Sequence, residues 1–253
     1  MPLQGMKLVT RKISHRRHHS NCNSLDKDEA FVPSRREEPG ERFELSQLAV
    51  VRFAKICVSL TLGWPLYLLF NLSGRDYGRY VNHFDPYAPV FSKSERWQVM
   101  LTDAAYVGWC YALGLAAKAW GWGWLMKAYG MPIAWLYFWL VLVTLLHHTH
   151  PALPRYTDAE WDWLRGALST VDRNYGALTH LHHRIGDTHV LHHLFSQIPH
   201  YHALEATEAI KPILGPYYRY DGRNILVALW DDWRTTSYVA PDSQGSGVLW
   251  FRK

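Results

Sequence analysis

Two strings of the sequence, HRRHH at His15–His19 and HVLHH at His189–His193, carry its strongest structural signal. Each places histidines at positions i, i+3 and i+4, which share one face of an α-helix. Two such faces directed at each other offer six imidazoles, and imidazole suits iron, zinc, copper and nickel. Structural zinc sites usually close with four ligands and mostly use sulfur. The strings therefore predict two helices that hold two metal ions with positions left open for chemistry.

HRRHH taken alone is also compatible with a solvated basic patch at a lipid surface. HVLHH is harder to explain in that way, because it carries no charge and follows Asp187 and Thr188. The repeated spacing favours metal binding for both strings. His147, His148 and His150 end an apolar run, where the simplest interpretation is a set of interfacial residues, above all for His147.

Three long apolar segments lie between the two boxes. Residues 48–72 and 132–146 are strongly apolar, and a helix needs about 20 apolar residues to cross a bilayer. Residues 98–119 are weaker and contain Asp103 and Lys118, and a charge at mid-bilayer costs a few kcal/mol or more. If both boxes bind the same metals, the chain between them crosses an even number of times. We therefore expect spans at about 48–72 and 132–146, and we expect 98–119 to be the segment that stays at the interface.

The predicted fold class is all-α: an integral membrane helical protein with a cytoplasmic helical cap that carries the histidine boxes. We divide it into a cytoplasmic segment with HRRHH (1–44), a membrane region (45–148) and a cytoplasmic cap with HVLHH and the tail (149–253). The 13 tryptophans and 15 tyrosines favour membrane–water interfaces. Positive charge gathers at Lys7, Arg11, Lys12, Arg16, Arg17, Arg35 and Arg36.

That charge fits a cytoplasmic face beside anionic lipid better than a nucleic-acid patch, because the apolar spans argue against a nucleic-acid partner. The formal net charge is +5. Cys22, Cys57 and Cys110 show no paired spacing, which predicts free thiols.

Several strings resemble membrane fatty acid desaturases of the plant and fungal oleate Δ12 type, including the related ω-3 enzymes. They are SHRRHHSN followed by SLDKDEAFVP, TLGWPLYLLFNLSGR, HTHPALPRYTDAEWDWLRGALSTVDRNYG and DTHVLHHLFSQIPHYHALEATEAIKPILGPYY. The ending YRYDGRNILVALWDDWRTTSYV is more similar to the fungal members. The likeness runs from about residue 14 to the tail.

The resemblance implies an O2-dependent di-iron oxidoreductase that introduces a cis double bond into a membrane-bound acyl chain, converting oleoyl to linoleoyl. It implies two iron ions held on histidine boxes at the cytoplasmic side of the endoplasmic reticulum membrane. Electrons would come from cytochrome b5, and the substrate would be an acyl-lipid or acyl-CoA. The ligands carried over are His15, His18 and His19 of the family's second box and His189, His192 and His193 of its third box. His183 is an additional ligand by its place in the family string before the third box.

Four polar residues near HVLHH are expected to orient the ligands by hydrogen bonds: Asp172, Asn174, Asp187 and Thr188. The family's first box, H-E-C-G-H or similar, has no counterpart in this sequence, and LLHHTHP has its own counterpart in the family. We therefore expect a chain truncated at its N-terminus that is weakly metallated and inactive alone.

Three alternatives remain open. Related histidine-box hydroxylases, acetylenases and Δ15 desaturases share these boxes, so product analysis is needed to separate them. A non-catalytic truncated form that binds a full-length desaturase is a second possibility. The third is a basic nucleic-acid-binding protein, which the apolar spans disfavour.

Overall fold

The computed structural model describes residues 8–37, 48–243 and 245–253, and the expected boundary between residues 44 and 45 lies outside these ranges. The chain is mostly helical, which confirms the predicted class. The α-helices are α1 (Leu8–Asn21), α2 (Ala49–Phe70), α3 (Arg96–Trp120), α4 (Trp122–Leu125), α5 (Met131–His148), α6 (Trp163–Leu168), α7 (Leu178–Leu181), α8 (His189–Leu194), α9 (His200–Leu214) and α10 (Ile225–Thr235). A π-helical turn at Met126–Gly130 joins α4 to α5, and a 3-10 turn follows α9 at Gly215–Tyr217.

Short strands were not predicted from the sequence. They are β1 (Pro154–Tyr156), β2 (Asp172–Arg173), β3 (Tyr220–Asp221), β4 (Tyr238–Pro241) and β5 (Val248–Arg252). β5 lies between β1 and β4 in an antiparallel sheet, with Arg155 opposite Leu249 and Val239 opposite Phe251. β2 and β3 form a parallel pair.

The three apolar segments are helices, as predicted. α2, α3 and the continuous run Trp122–His148 are each long and apolar enough to cross a membrane. Their exposed side chains are largely apolar, as expected of surfaces that face lipid. Length and composition alone do not decide which of the three helices cross the membrane.

The main core lies where α2 crosses α5 and meets α10. Ile56 and Leu60 of α2 pack with Leu142 and Leu146 of α5, and Leu229 of α10 completes the cluster. Burying one such side chain contributes about 1.5–3 kcal/mol. This core sets the position of the last turn of α5, which ends in two histidines.

A second core joins α1 to the segment between α2 and α3. Ile13 packs with Val81, Val90 and Phe91, and Val99 of α3 belongs to the same cluster. This contact holds the helix that carries HRRHH against the loop of residues 71–95.

Arg173 ties the cap to α5. Its fully buried guanidinium donates to the carbonyl oxygen of Leu146 at 2.7 Å and to Asp221 at 2.5 Å, and it also binds Asp232 of α10. Arg223 adds a second cation to the same two carboxylates. A buried ion pair of this kind stabilises the fold only while all its partners are present.

Candidate metal centre

The two predicted histidine faces meet. HRRHH lies in the last two turns of α1, and HVLHH opens α8 directly after Thr188. The rings of His19 and His193 are stacked 4.2 Å apart, and the rings of His18 and His193 are 5.3 Å apart. The six box histidines therefore lie together, 170 residues apart in sequence but adjacent in space.

Four buried imidazoles form the inner group: His18, His148, His189 and His193. The Nε2 atom of His148 lies 3.4 Å from Nε2 of His18 and 3.1 Å from Nε2 of His189. Nε2 of His193 lies 3.2 Å from Nε2 of His189. These ring nitrogens are directed at one another and not at water.

Such spacing fits a bound metal ion. Imidazole nitrogens about 2.1 Å from one ion lie about 3.0 Å apart at right angles and about 3.4 Å apart in a tetrahedron. A neutral imidazole carries one N–H, so a hydrogen bond cannot satisfy every one of these Nε2 contacts at once. Buried Nδ1 atoms of His189 and His193 have no hydrogen-bond partner either. The inner group therefore has the donor set and the spacing of a transition-metal site.

His15, His19 and His192 form an outer group. The Nε2 atoms of His15 and His19 lie 3.1 Å apart, and the ring of His192 lies 4.5 Å from that of His19. One ring nitrogen of each of the three histidines lies within 4.8 Å of the corresponding nitrogens of the other two. Each group could hold a metal ion, and the presence of two ions stays a prediction.

Lowered pKa values hold five of the box histidines in the neutral form: His15, His19, His189, His192 and His193. Burial, together with the charge of neighbouring histidines, lowers the pKa of His19 to about 3 and that of His192 to about 4. The same causes lower the pKa values of His189 and His193 well below the usual range. A metal ion binds the neutral imidazole, so these sites need not lose a proton at neutral pH.

His148 belongs to the inner group, whereas the sequence analysis interpreted it as interfacial and did not name it as a candidate ligand. It ends α5, 41 residues before His189, and belongs to neither i, i+3, i+4 pattern. Cys22 Sγ lies 3.8 Å from its Nδ1 and within 4.8 Å of a ring nitrogen of His18, His148 and His193, so this thiol belongs to the same candidate site. Arg155 donates to its backbone carbonyl oxygen at 2.8 Å. The family string HTHP was the one signal that pointed to it.

Asp28 is the carboxylate that orients His18. It is fully buried, and the Nδ1–H of His18 donates to it at 2.7 Å. The backbone N–H groups of Asn23 and Ala30 donate to the same carboxylate at 2.8 and 3.1 Å. A proton on Nδ1 leaves the Nε2 lone pair directed at the inner group. This carboxylate–histidine pair is the usual support of a metal-bound imidazole.

Two other histidines lie outside the groups. His147 donates from Nδ1 to the carbonyl oxygen of Val171 at 2.5 Å and accepts at Nε2 from the Tyr175 hydroxyl at 2.9 Å, so both ring nitrogens are used. His183, the additional ligand carried over from the family, is exposed and contacts the ring of His200 at 4.6 Å. Among the described residues His183 belongs to neither group of imidazoles, although it lines the same cavity as several of them.

The four polar residues expected to support the ligands bond to nearby backbone groups, to Arg184 or to Tyr218. Asp172 accepts from the backbone N–H of Val190 at 2.8 Å and from the Tyr218 hydroxyl at 2.7 Å, which fixes the start of α8. Asp187 pairs with Arg184 at 2.5 Å, and the Thr188 hydroxyl donates to the carbonyl oxygen of Arg184. Asn174 accepts from the N–H of Gly176.

His150, Asp221 and Asp232 are also close enough to suggest a metal site. Their two carboxylates already pair with Arg173 and Arg223, and His150 Nε2 is 3.8 Å from Asp221. The cluster is therefore a buried ion-pair network, and the guanidinium groups take the place that a cation would need.

An apolar cavity of about 500 Å³ opens onto the box histidines. His15, His18, His148, His189 and His192 line one part of it. Trp64 of α2 and Leu136, Trp139, Leu140 and Val143 of α5 line another. Pockets of this size commonly hold small or extended apolar ligands. The geometry joins a metal-binding group to a space suited to a hydrocarbon chain.

The fold and the site define a protein with three helices long and apolar enough to cross a membrane and with a cluster of histidines that could hold metal beside an apolar cavity. The fatty acid desaturase family model matches residues 1–223, and the chain belongs to that family.

Curated relatives share about half of their residues with it. Delta(12)-oleate desaturase of Trichosanthes kirilowii is 50% identical over 96% of this chain and 66% of its own length. The omega-6 fatty acid desaturase of Glycine max, endoplasmic reticulum isozyme 2, is 51% identical over 95% of this chain and 63% of its own length. An oleoyl-12-hydroxylase of Ricinus communis is 49% identical over the same shares. The chain thus spans just under two thirds of the length of these relatives.

Proposed function

We propose that this chain contributes to an acyl-lipid desaturase that introduces a cis double bond at the Δ12 position of a membrane-bound oleoyl chain. The observation that carries the proposal is an apolar cavity whose wall includes five of the seven clustered imidazoles of the boxes and of α5. Relatives named as Δ12 and ω-6 desaturases support the choice of reaction.

The proposed ligands are the six box histidines and His148, and the proposed metal is a pair of iron ions. Bound iron with O2 would supply the oxidising power needed to remove two hydrogens from adjacent methylene groups. The residues of this protein position the reactants. Asp28 and Arg155 hold His18 and His148 in place, and the cavity wall orients the acyl chain and excludes water.

The remaining assignments also rest on the family. We propose cytochrome b5 as the electron donor, the endoplasmic reticulum membrane as the location and the cytoplasm as the side on which the histidines lie. A relative named as an endoplasmic reticulum isozyme and the three apolar helices support the location. The basic residues Arg11, Arg16 and Arg17 beside the histidines support the cytoplasmic side.

A second candidate is hydroxylation of the same acyl chain. The relative named as an oleoyl-12-hydroxylase is as similar to this chain as the desaturases are. The two reactions require the same metal centre and cavity, so the product is the measurement that separates them.

A chimera tests the proposal. Residues 14–253 replace the aligned part of the Glycine max ω-6 desaturase in a host that makes oleate and no linoleate. We expect linoleate. A 12-hydroxy product would favour the second candidate, and a chimera that binds iron but forms neither product would contradict both. His148→Ala should abolish product and lower the iron content, whereas His183→Ala should preserve iron. The reverse result would exclude His148 as a ligand.

A further inference from the structure

The path of the chain between the two histidine boxes limits how α2 meets the membrane. The boxes lie in contact, so both are on one side of the bilayer. An even number of crossings must separate them, yet α2, α3 and the run Trp122–His148 are all long and apolar enough to cross. At least one of the three therefore stays on the side where it began.

The C-terminal end of α2 is on the side of the boxes. The loop that follows it, residues 71–95, packs on α1: Val90 and Phe91 belong to the core of Ile13. Glu95 closes the loop with ion pairs to Arg16 at 2.5 Å and Arg17 at 2.9 Å. These two arginines lie between the histidines of HRRHH.

Two further bonds fix the same end. The Tyr67 hydroxyl donates to the backbone carbonyl oxygen of Glu29 at 3.0 Å, one residue from the carboxylate that orients His18. The backbone N–H of Val32 donates to the carbonyl oxygen of Ser73 at 3.0 Å. The last turn of α2 thus lies close to the metal centre.

The N-terminal end of α2 is on that side too. Arg52, buried in the first turn, donates to the carbonyl oxygen of Arg234 at 2.5 Å. Arg234 belongs to α10, which follows the HVLHH box, and the described residues after His148 include no helix long and apolar enough to cross. Both ends of this helix of about 33 Å are therefore fixed to the cap.

We infer that α2 does not cross the membrane but lies along the leaflet beneath the cap, and that α3 and α4–α5 form the single membrane hairpin of the described residues. α2 buries part of its surface on α5 and exposes a broad apolar face that would meet lipid. The exposed apolar side chains include Val50, Phe53, Val58, Leu62 and Leu69, which cover about half of the helix circumference. The inference concerns topology and does not depend on which reaction the protein catalyses.

The far end of the hairpin has the character of a membrane–water interface. Trp120, Trp122 and Trp124 are exposed around the turn at Gly121, and tryptophan favours this interface. Lys118 and Lys127 flank the turn, where a lysine can extend its ammonium group to water.

This assignment differs from the expectation based on the charges of residues 98–119. Lys118 is two residues from the end of α3, and Asp103 lies in its second turn and is partly buried. Neither charge needs to sit at mid-bilayer, so neither prevents α3 from crossing.

Glycosylation mapping in microsomes tests the topology, because acceptor sites are modified only in the lumen. One variant carries an acceptor sequon within a flexible insert at Gly78, and its matched control carries the same insert at Gly121. Both glycines have positive φ and open space around them. Ser73→Gly in both removes the native Asn71-Leu72-Ser73 sequon. We expect modification at Gly121 and none at Gly78. Modification at Gly78, or at neither place, would overturn the inference.

The native cysteines give a second test without any insertion. Cys57 is exposed near the middle of α2, and Cys110 is exposed near the middle of α3. A nitroxide is placed on Cys57 in a Cys110→Ser variant and on Cys110 in a Cys57→Ser variant, with buried Cys22 kept in both. In reconstituted bilayers we expect oxygen to relax the Cys110 label more, and a water-soluble nickel chelate to relax the Cys57 label more. Equal depths for the two labels would overturn the inference.

Discussion

At the scale of single residues, the metal centre depends on how each imidazole is oriented. Asp28 fixes the proton of His18 on Nδ1, and Arg155 connects that carboxylate, at 3.8 Å, to the backbone of His148. The buried carboxylate of Asp28 therefore orients His18 directly. It also lies beside Arg155, which contacts the backbone of His148.

Replacing Asp28 with Asn should weaken metal binding. The amide keeps the size of the carboxylate but removes the charge that favours the Nδ1–H tautomer, and loss of such a partner typically costs 10–100-fold in metal affinity, or about 1.4–2.8 kcal/mol. Titration of the purified protein with Fe²⁺ measures the change. Asp26→Asn is the matched control, because Asp26 is exposed and contacts the backbone of Asp158. Equal affinities of the two variants would exclude a role for Asp28 in orienting His18.

The sequence predicted ligands only where they repeat within one helix. HRRHH and HVLHH show the i, i+3, i+4 spacing, so their six histidines could be named in advance. His148 and Asp28 each act alone, and only the tertiary fold brings them to the boxes. His183 was carried over by its place in a string, and the turn that follows α7 directs it toward His200 instead. Sequence spacing identifies helix faces but not the partners that come from elsewhere in the chain.

At the scale of secondary-structure elements, α1 reaches the metal centre because α6 packs closely against its end. Gly166 of α6 has no room for a side chain, since a Cβ there would lie 2.2 Å from the carbonyl oxygen of Cys22. Asn23 strengthens the contact by donating to the carbonyl oxygens of Gly166 at 2.9 Å and Ser169 at 2.7 Å. The C-terminus of α1 is therefore positioned by backbone contact.

Gly166→Ala should displace α1 and lower both stability and metal content. Backbone atoms cannot move aside as a flexible side chain can, and overpacking typically costs about 1–3 kcal/mol in the free energy of unfolding. Thermal unfolding and iron content measure the two effects. Gly114→Ala in α3 is the control, because no atom lies within 4 Å of its Cβ position. If Gly166→Ala behaved like this control, the close contact between α6 and α1 would not be what positions the histidines.

The long helices were more predictable than the small elements. The apolar segments at 48–72, 98–119 and 132–146 correspond to α2, α3 and α5 within a few residues, because a run of apolar residues is a local signal. The strands have two to five residues, and β1 pairs with β5 across more than 90 residues of sequence. No local pattern predicts such pairings.

At the scale of the whole molecule, α1, α2 and α5 enclose the apolar cavity that opens onto the histidines. Leu140 projects from α5 into this cavity, and Trp64 faces it from α2. The same packing that positions His148 at the end of α5 therefore also shapes the space next to it. Substrate binding and metal binding should be separable, because they use different parts of one helix.

Leu140→Trp should reduce product formation by the chimera without changing its iron content. The larger ring would occupy part of the roughly 500 Å³ cavity, whereas the ligands at the end of α5 lie two turns away. Linoleate yield and bound iron are measured on the same preparations. Leu115→Trp is the matched control, since Leu115 is exposed on the surface of α3. A full yield from Leu140→Trp would show that the acyl chain does not use this cavity. Loss of both iron and product would show instead that a change at Leu140 also disturbs His148 at the end of α5, so that substrate binding and metal binding are not separable.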